Sequence, residues 1–179
     1  MMDPMVLFDR AAIGAASMAG QVRPEQQQAP TPCTEWDVAA LLDHMVAGTG
    51  YLLGALGIDA VRVGTDEASY RAAIARCAES LRQPGALGGR CLSPAGFEWS
   101  IGEALAGTAM DQLIHTWDLA VAIGSDRSLD SELVEACLAM FIPQMPEIGR
   151  KAGIVGAEVL VPVDASPQDR LLGAMGRQP

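Results

Sequence analysis

From Glu103 to Ile123 the chain carries no lysine and no arginine. Ser100 and Glu103 form a capping box at the start of this stretch, and Gly124 stands just past its end, so the stretch reads as one long helix. A long helix without basic residues has no ordinary solvent face. It is expected to be mostly buried, with other helices packed around it.

The rest of the chain supplies those helices. A first helix is expected over about residues 5–20, with a turn near Arg23-Pro24. Residues 26–32 are polar and hold Pro30 and Pro32, so they read as a connector. Thr34 reads as the N-cap of a second helix over about residues 35–56, with Asp37 as its acidic partner and Gly57 near its end. A third begins at Thr65 or Asp66 and stops before Pro84-Gly85. Residues 86–97 read as a loop with a short strand pair. Asp130 caps a fifth helix that Pro143 and Pro146 end or kink. Residues 159–163 read as extended. Ser166-Pro167-Gln168-Asp169 has the cap, the proline and the acid of a short last helix. Helix after helix predicts an all-α fold: an up-down four-helix bundle with a small extended and helical C-terminal tail, one domain over residues 1–179.

Composition bounds the partners. The chain has 179 residues, 50% of them apolar and 19% charged, enough for a sizeable core. A net charge of -10, with Lys151 as its lone lysine, argues against nucleic acid and against anionic membranes. No apolar run approaches the ~20 residues of a transmembrane helix. Met1-Met2-Asp3-Pro4 lacks the basic start of a signal peptide, so a cytoplasmic protein is expected. Cys33, Cys77, Cys91 and Cys137 show no CxxC spacing, which gives no sign of a thiolate zinc knuckle. Cys77 and Cys137 lie in apolar runs and read as core filler.

The chemistry concentrates on few residues. The chain has two histidines, His44 and His115. Asp111 and His115 are four apart and share one helix face, within the stripe Thr108, Asp111, His115, Asp118. One reading is a metal site: Asp111 and His115 grip an ion from one side, His44 closes it from the second helix, and at least one coordination position stays open. The other is a solvent-facing stripe and a hydrogen-bonded core histidine on a face of small residues. The missing basic residues weigh against a solvent face, and a buried carboxylate needs a strong partner. Cys33 sits before the cap of the expected second helix, eleven residues from His44 or about 16 Å along a helix, and is not expected to share its ligand set. Gly48-Thr49-Gly50 and Gly88-Gly89 do not match a phosphate loop. There is no GxSxG elbow. Trp36, Trp99 and Trp117 read as packing residues, and Arg127 as a solvated loop residue.

Three stretches resemble a known family. Thr31-Pro32-Cys33-Thr34-Glu35-Trp36-Asp37-Val38, followed by Leu41 and His44, is similar to the helix-two motif of actinobacterial proteins of the DinB-like superfamily. Asp111-x-x-x-His115-x-Trp117-Asp118-Leu119-Ala120 resembles their second metal motif. The tail from Val161-Pro162-Val163 through Gln168-Asp169-Arg170-Leu171-Leu172 to Gly176-Arg177 resembles the C-terminal signature of one subgroup. The superfamily includes the metal-binding domain of mycothiol-dependent maleylpyruvate isomerase. The resemblance spans about residues 7–179. It implies a four-helix bundle, a divalent metal held by His44, Asp111 and His115, and a thiol cofactor, mycothiol or a relative. The isomerase has a glutamate where this chain has Asp111, and it has a further C-terminal domain.

Together these readings predict a divalent-metal-dependent thiol S-transferase. Zinc is the expected metal, mycothiol or a similar small thiol the cosubstrate, and an electrophile the second substrate. A coordinated thiol is deprotonated, and the thiolate is the nucleophile. Asp118 is a candidate to orient a ligand. No general base stands out. The runner-up is a metal-binding protein without turnover; a hydrolase using metal-bound hydroxide is a third reading, and a two-His, one-carboxylate set also suits Fe(II). Monomer or homodimer is expected, without nucleic acid or membrane partners.

Overall fold

The computed structural model describes residues 2–60, 64–142 and 144–179. Its elements are α1 (Pro4–Ala19), α2 (Val38–Ala55), α3 (Glu67–Leu81), β1 (Arg90–Leu92), β2 (Glu98–Ser100), α4 (Ile101–Ile123), α5 (Ser131–Phe141), α6 (Met145–Lys151) and α7 (Pro167–Ala174), with 3-10 turns at Pro24–Gln26 and Ala86–Gly88. The chain is mostly helical, and β1 and β2 pair as a two-stranded sheet. Two compact units result. One comprises residues 3–91 and 99–128, the other Met2 with residues 92–98 and 129–179.

The larger unit is built on α4. Ser100 accepts from the backbone of Glu103 while the Glu103 carboxylate takes the backbone N–H of Ser100, so the expected capping box is formed. Gly124 ends the helix at φ 71°, a left-handed conformation that glycine adopts without a Cβ clash. Leu105, Leu113, Ile114, Trp117 and Leu119 are buried; each such side chain contributes roughly 1.5–3 kcal/mol of transfer free energy. α1 packs against α4 and α3, and α2 packs against the same two helices. Consecutive helices α1 and α2 therefore stand across the ring from each other, where a simple meander would set them side by side. α2 alone among the described helices has the length and mean hydropathy, 1.3, of a membrane-crossing segment. Its Leu41, Leu42, Met45, Leu52 and Leu53 are buried within the unit.

A polar clamp ties three of these helices together. Tyr70 on α3 donates to Gln112 Oε1 on α4 and its hydroxyl lies 3.2 Å from the Met45 carbonyl on α2. Gln112 Nε2 donates to that same carbonyl at 2.8 Å. Burial, and then the nearby Asp111 charge, push the Tyr70 phenol above its ordinary pKa, so it remains a donor. The clamp holds the α2–α4 spacing one residue away from Asp111.

The start of α2 differs from expectation. The cap is Asp37, which accepts from Ala40 N at 2.9 Å, and the helix begins at Val38. Residues 30–37 instead form a folded loop. Pro30 and Asp37 make an antiparallel bridge, and Val38 N donates to Ala29 O at 3.1 Å. The apolar periodicity begins only at Val38, and Asp37 is as good a cap as Thr34; the backbone pairing across the loop decides between them. Asp66, Asp130 and Ser166 cap their helices as read from the sequence.

In the smaller unit α5 packs on α7. Leu133, Val134, Cys137, Phe141, Leu171 and Leu172 are its buried apolar residues. Gln168 at the start of α7 accepts from Leu129 N at 2.8 Å. α6 was not anticipated: Pro146 lies in its first turn and starts this helix instead of ending another. The expected break at Pro143 lies outside the described residues.

Candidate metal centre

Four side chains meet between α2 and α4. Asp111 and His115 project from one face of α4, as their spacing requires, and Asp118 follows three residues on. His44 Nε2 lies 3.2 Å from Asp111 Oδ2, and His115 Nε2 lies 3.3 Å from Asp111 Oδ1. The imidazoles of His44 and His115 face each other edge-on, with centroids 4.8 Å apart. One donor atom from each of His44, Asp111 and His115 falls within 4.8 Å of the others. The structure thus brings together the three residues singled out as ligands.

The other edge of the His115 ring is engaged separately. Its Nδ1 lies 2.9 Å from Asp118 Oδ2, and Asp118 is fully buried. A carboxylate there favours a ring proton on Nδ1, so that Nε2 is the nitrogen facing His44 and Asp111. This is the carboxylate–histidine arrangement that orients metal ligands in general. Exposure divides the cluster in the same way. The side chains of His44 and Asp111 are each 38% exposed, and that of His115 is 8% exposed. The solvent-exposed edge of the cluster lies on the His44 and Asp111 side.

Charges are coupled across the cluster. Burial alone would raise the Asp111 carboxyl, but the charge and hydrogen bonds of His115 and His44 outweigh it and hold Asp111 well below the usual carboxylate range. Burial alone would lower His115; Asp111, Asp118 and Cys33 outweigh it and raise the imidazole well above its ordinary value. These two shifts favour the charged forms of both partners, the imidazolium of His115 beside the carboxylate of Asp111. A divalent ion would replace that proton. Two imidazole nitrogens and one carboxylate are donors suited to such an ion.

Two residues of the site escaped the sequence reading. Cys33 is not on α2 and is not remote. Its Sγ donates to Asp118 Oδ2 at 3.3 Å and lies 3.8 Å from His115 Nδ1. The separation of about 16 Å assumed helical rise over the eleven residues from Cys33 to His44; the loop folds Cys33 back onto α4 instead. Trp36 packs its ring against both imidazoles, 4.5 Å from that of His44 and 5.8 Å from that of His115. Trp99 and Trp117 are buried packing residues, as read. Cys77 and Cys137 are fully buried, and burial pushes both thiols up to about 12.

Sequence comparisons place the chain in a family. Residues 8–88 match the family described as mycothiol maleylpyruvate isomerase N-terminal domain. An uncharacterised protein of Mycobacterium tuberculosis, present in two strains, is 32% identical over 184 residues, covering 98% of this chain and 98% of its own. The chain belongs to this family. The matched stretch contains the Cys33–Asp37 loop and His44; Asp111, His115 and Asp118 lie beyond it. The family points to a mycothiol-related protein, and the donor cluster of this member is a candidate metal-binding group. No solved structure matches the chain.

Proposed function

We propose that this protein is a divalent-metal-dependent thiol S-transferase, with His44, Asp111 and His115 as the metal ligands. The observation that carries the reading is the donor triad: three ligand atoms converge from two helices, half-exposed on one side and backed by a buried carboxylate on the other. When bound, the ion would supply Lewis acidity that keeps a coordinated thiol in its thiolate form. The protein's own side chains do the rest. Asp118 holds the proton on His115 Nδ1, so that Nε2 faces the site. Trp36 walls the site with an apolar face and restricts water at the imidazoles. The half-exposed edges of His44 and Asp111 leave room for a small thiol and its electrophilic partner. In the overall reaction a sulfur–carbon bond forms, the electrophile's leaving group departs with its electron pair, and the thiol proton passes to solvent.

Zinc is the proposed ion, and mycothiol or a related small thiol the proposed cosubstrate, in keeping with the family. A cytoplasmic monomer or homodimer, with an up-down course of the four long helices, completes the proposal. The test is consumption of a thiol with a generic electrophile, with and without zinc. Zinc-dependent turnover that Asp111→Asn abolishes is expected. Stoichiometric zinc uptake with no thiol consumed from a panel of electrophiles would leave a binding protein without turnover.

A further inference from the structure

Cys33 lies on the opposite side of His115 from His44 and Asp111, where its thiol, His115 and Asp118 form a second cluster of donor atoms. Its Sγ faces the Nδ1 edge of His115, while His44 and Asp111 face the Nε2 edge. The imidazole ring lies between. Two donors therefore converge on one oxygen: Asp118 Oδ2 is 2.9 Å from His115 Nδ1 and 3.3 Å from Cys33 Sγ. A carboxylate oxygen has two lone pairs and accepts both hydrogen bonds at once.

The loop carrying Cys33 is built to place it. Thr31 Oγ1 donates to Trp36 O at 2.8 Å and accepts from Cys33 N at 3.1 Å. Trp36 N donates to Cys33 O at 2.8 Å, closing the turn. Ala39 N donates to Gln27 O at 2.9 Å and anchors the loop to α2. The same turn sets Trp36 against His44. One short loop therefore braces both imidazoles, the thiol behind one and the indole against the other.

We propose that Cys33 is a positioning residue of the metal centre: its S–H fixes Asp118 Oδ2, which in turn fixes the His115 ring with Nε2 aimed between His44 and Asp111. The proposal rests on the metal reading above. Partners bonded directly to a metal ligand affect metal affinity 10–100-fold. Cys33 acts one bond further out, so its loss costs several-fold to about tenfold by the same scale.

The test measures zinc affinity by chelator competition for the wild type, Cys33→Ala and Cys33→Ser, alongside ring-nitrogen NMR of the zinc-loaded wild type and optical spectra of the cobalt(II) forms. With only two histidines in the chain, the ring signals are assignable. The expected results are weaker zinc binding by Cys33→Ala and recovery to within about twofold in Cys33→Ser, which keeps a donor. His115 should show a protonated Nδ1 and a metal-bound Nε2. Unchanged affinity in Cys33→Ala overturns the role of Cys33. A sulfur-to-cobalt charge-transfer band that Cys33→Ala removes overturns it too, because Cys33 would then be a ligand on the Nδ1 edge. A zinc-loaded His115 without a proton on Nδ1 does the same, and that measurement needs no variant to fold. A wild type that takes up no zinc overturns the metal reading itself, whereas zinc uptake indifferent to Cys33 overturns only this inference.

Discussion

Around His44 of α2, the candidate site is assembled from two kinds of segment, a helix face and a loop. α4 contributes Asp111, His115 and Asp118 from one helical face, and the loop before α2 contributes Cys33 and Trp36 from a turn. On α4 the spacing alone sets which side chains meet, because positions three and four apart are neighbours on any helix. In the loop, two residues three positions apart reach different targets: the thiol reaches Asp118 and the indole reaches His44. Their directions follow from the Pro30–Asp37 bridge and the Thr31 hydrogen bonds, which are set by pairing across the loop and not by any repeat. The α4 face supplies ligands and the loop braces them, so damage to α4 is expected to cost more.

The sharpest break is at the ligands. His115→Ala should take bound zinc from about one ion per chain to none, read by elemental analysis. At zinc a hundredfold above Kd, the wild type gains about 2.7 kcal/mol of apparent stability; the variant should gain none, seen as a melting temperature insensitive to zinc. A zinc-dependent melting shift in His115→Ala would remove α4 from the centre of the site.

Next is the residue that joins the two regions. Asp118→Asn should weaken zinc binding on the order of 10–100-fold, since the ring proton of His115 loses its charged acceptor. Equal affinities in variant and wild type would mean that the closed edge of the ring does not steer the open one.

The same coupling has a pH signature in the metal-free protein. His115 is raised, so its pairing with Asp111 stabilises the fold fully below the free-imidazole pKa of about 6.5, and this is lost as pH rises through the folded value. Asp111 is lowered, so the contribution is present above about 3.9 and is lost as pH falls through the folded value. Denaturant titrations should show this increment largest between about pH 4 and 6.5, and His115→Ala should remove it. An identical pH profile in the variant would show that the pair carries no differential charge.

The smallest effect distinguishes the two starts considered for α2. Asp37→Ala should cost about 0.5–2 kcal/mol of stability as a lost N-cap and should loosen the loop that holds Cys33. Thr34→Ala should change stability by less than about 0.5 kcal/mol, as for ordinary exposed positions. Reversed costs would place the helix start at Thr34 and detach Cys33 from the site.

Much was readable from the sequence. The α4 boundaries followed from Ser100, Glu103 and Gly124, which act locally on backbone groups within a turn. The helical class followed from apolar periodicity, and the burial of Cys77 and Cys137 from their apolar surroundings. Asp111 and His115 shared a face for the same local reason. The meeting of His44 with them required α2 to lie beside α4, which the spacing within either helix does not state. That placement depends on tertiary packing, including the clamp of Tyr70, Gln112 and the Met45 carbonyl. The order around the ring, with α1 across from α2, was equally non-local. The loop was misread because Thr34 and Asp37 are both capable caps, and only the backbone bonds of Ala29 and Gln27 to the start of α2 select the second. Local chemistry along the chain therefore determined the helices and the polar face of α4. Tertiary structure decided what closes that face, because hydrogen bonds and packing between segments distant in sequence leave no period in the sequence itself.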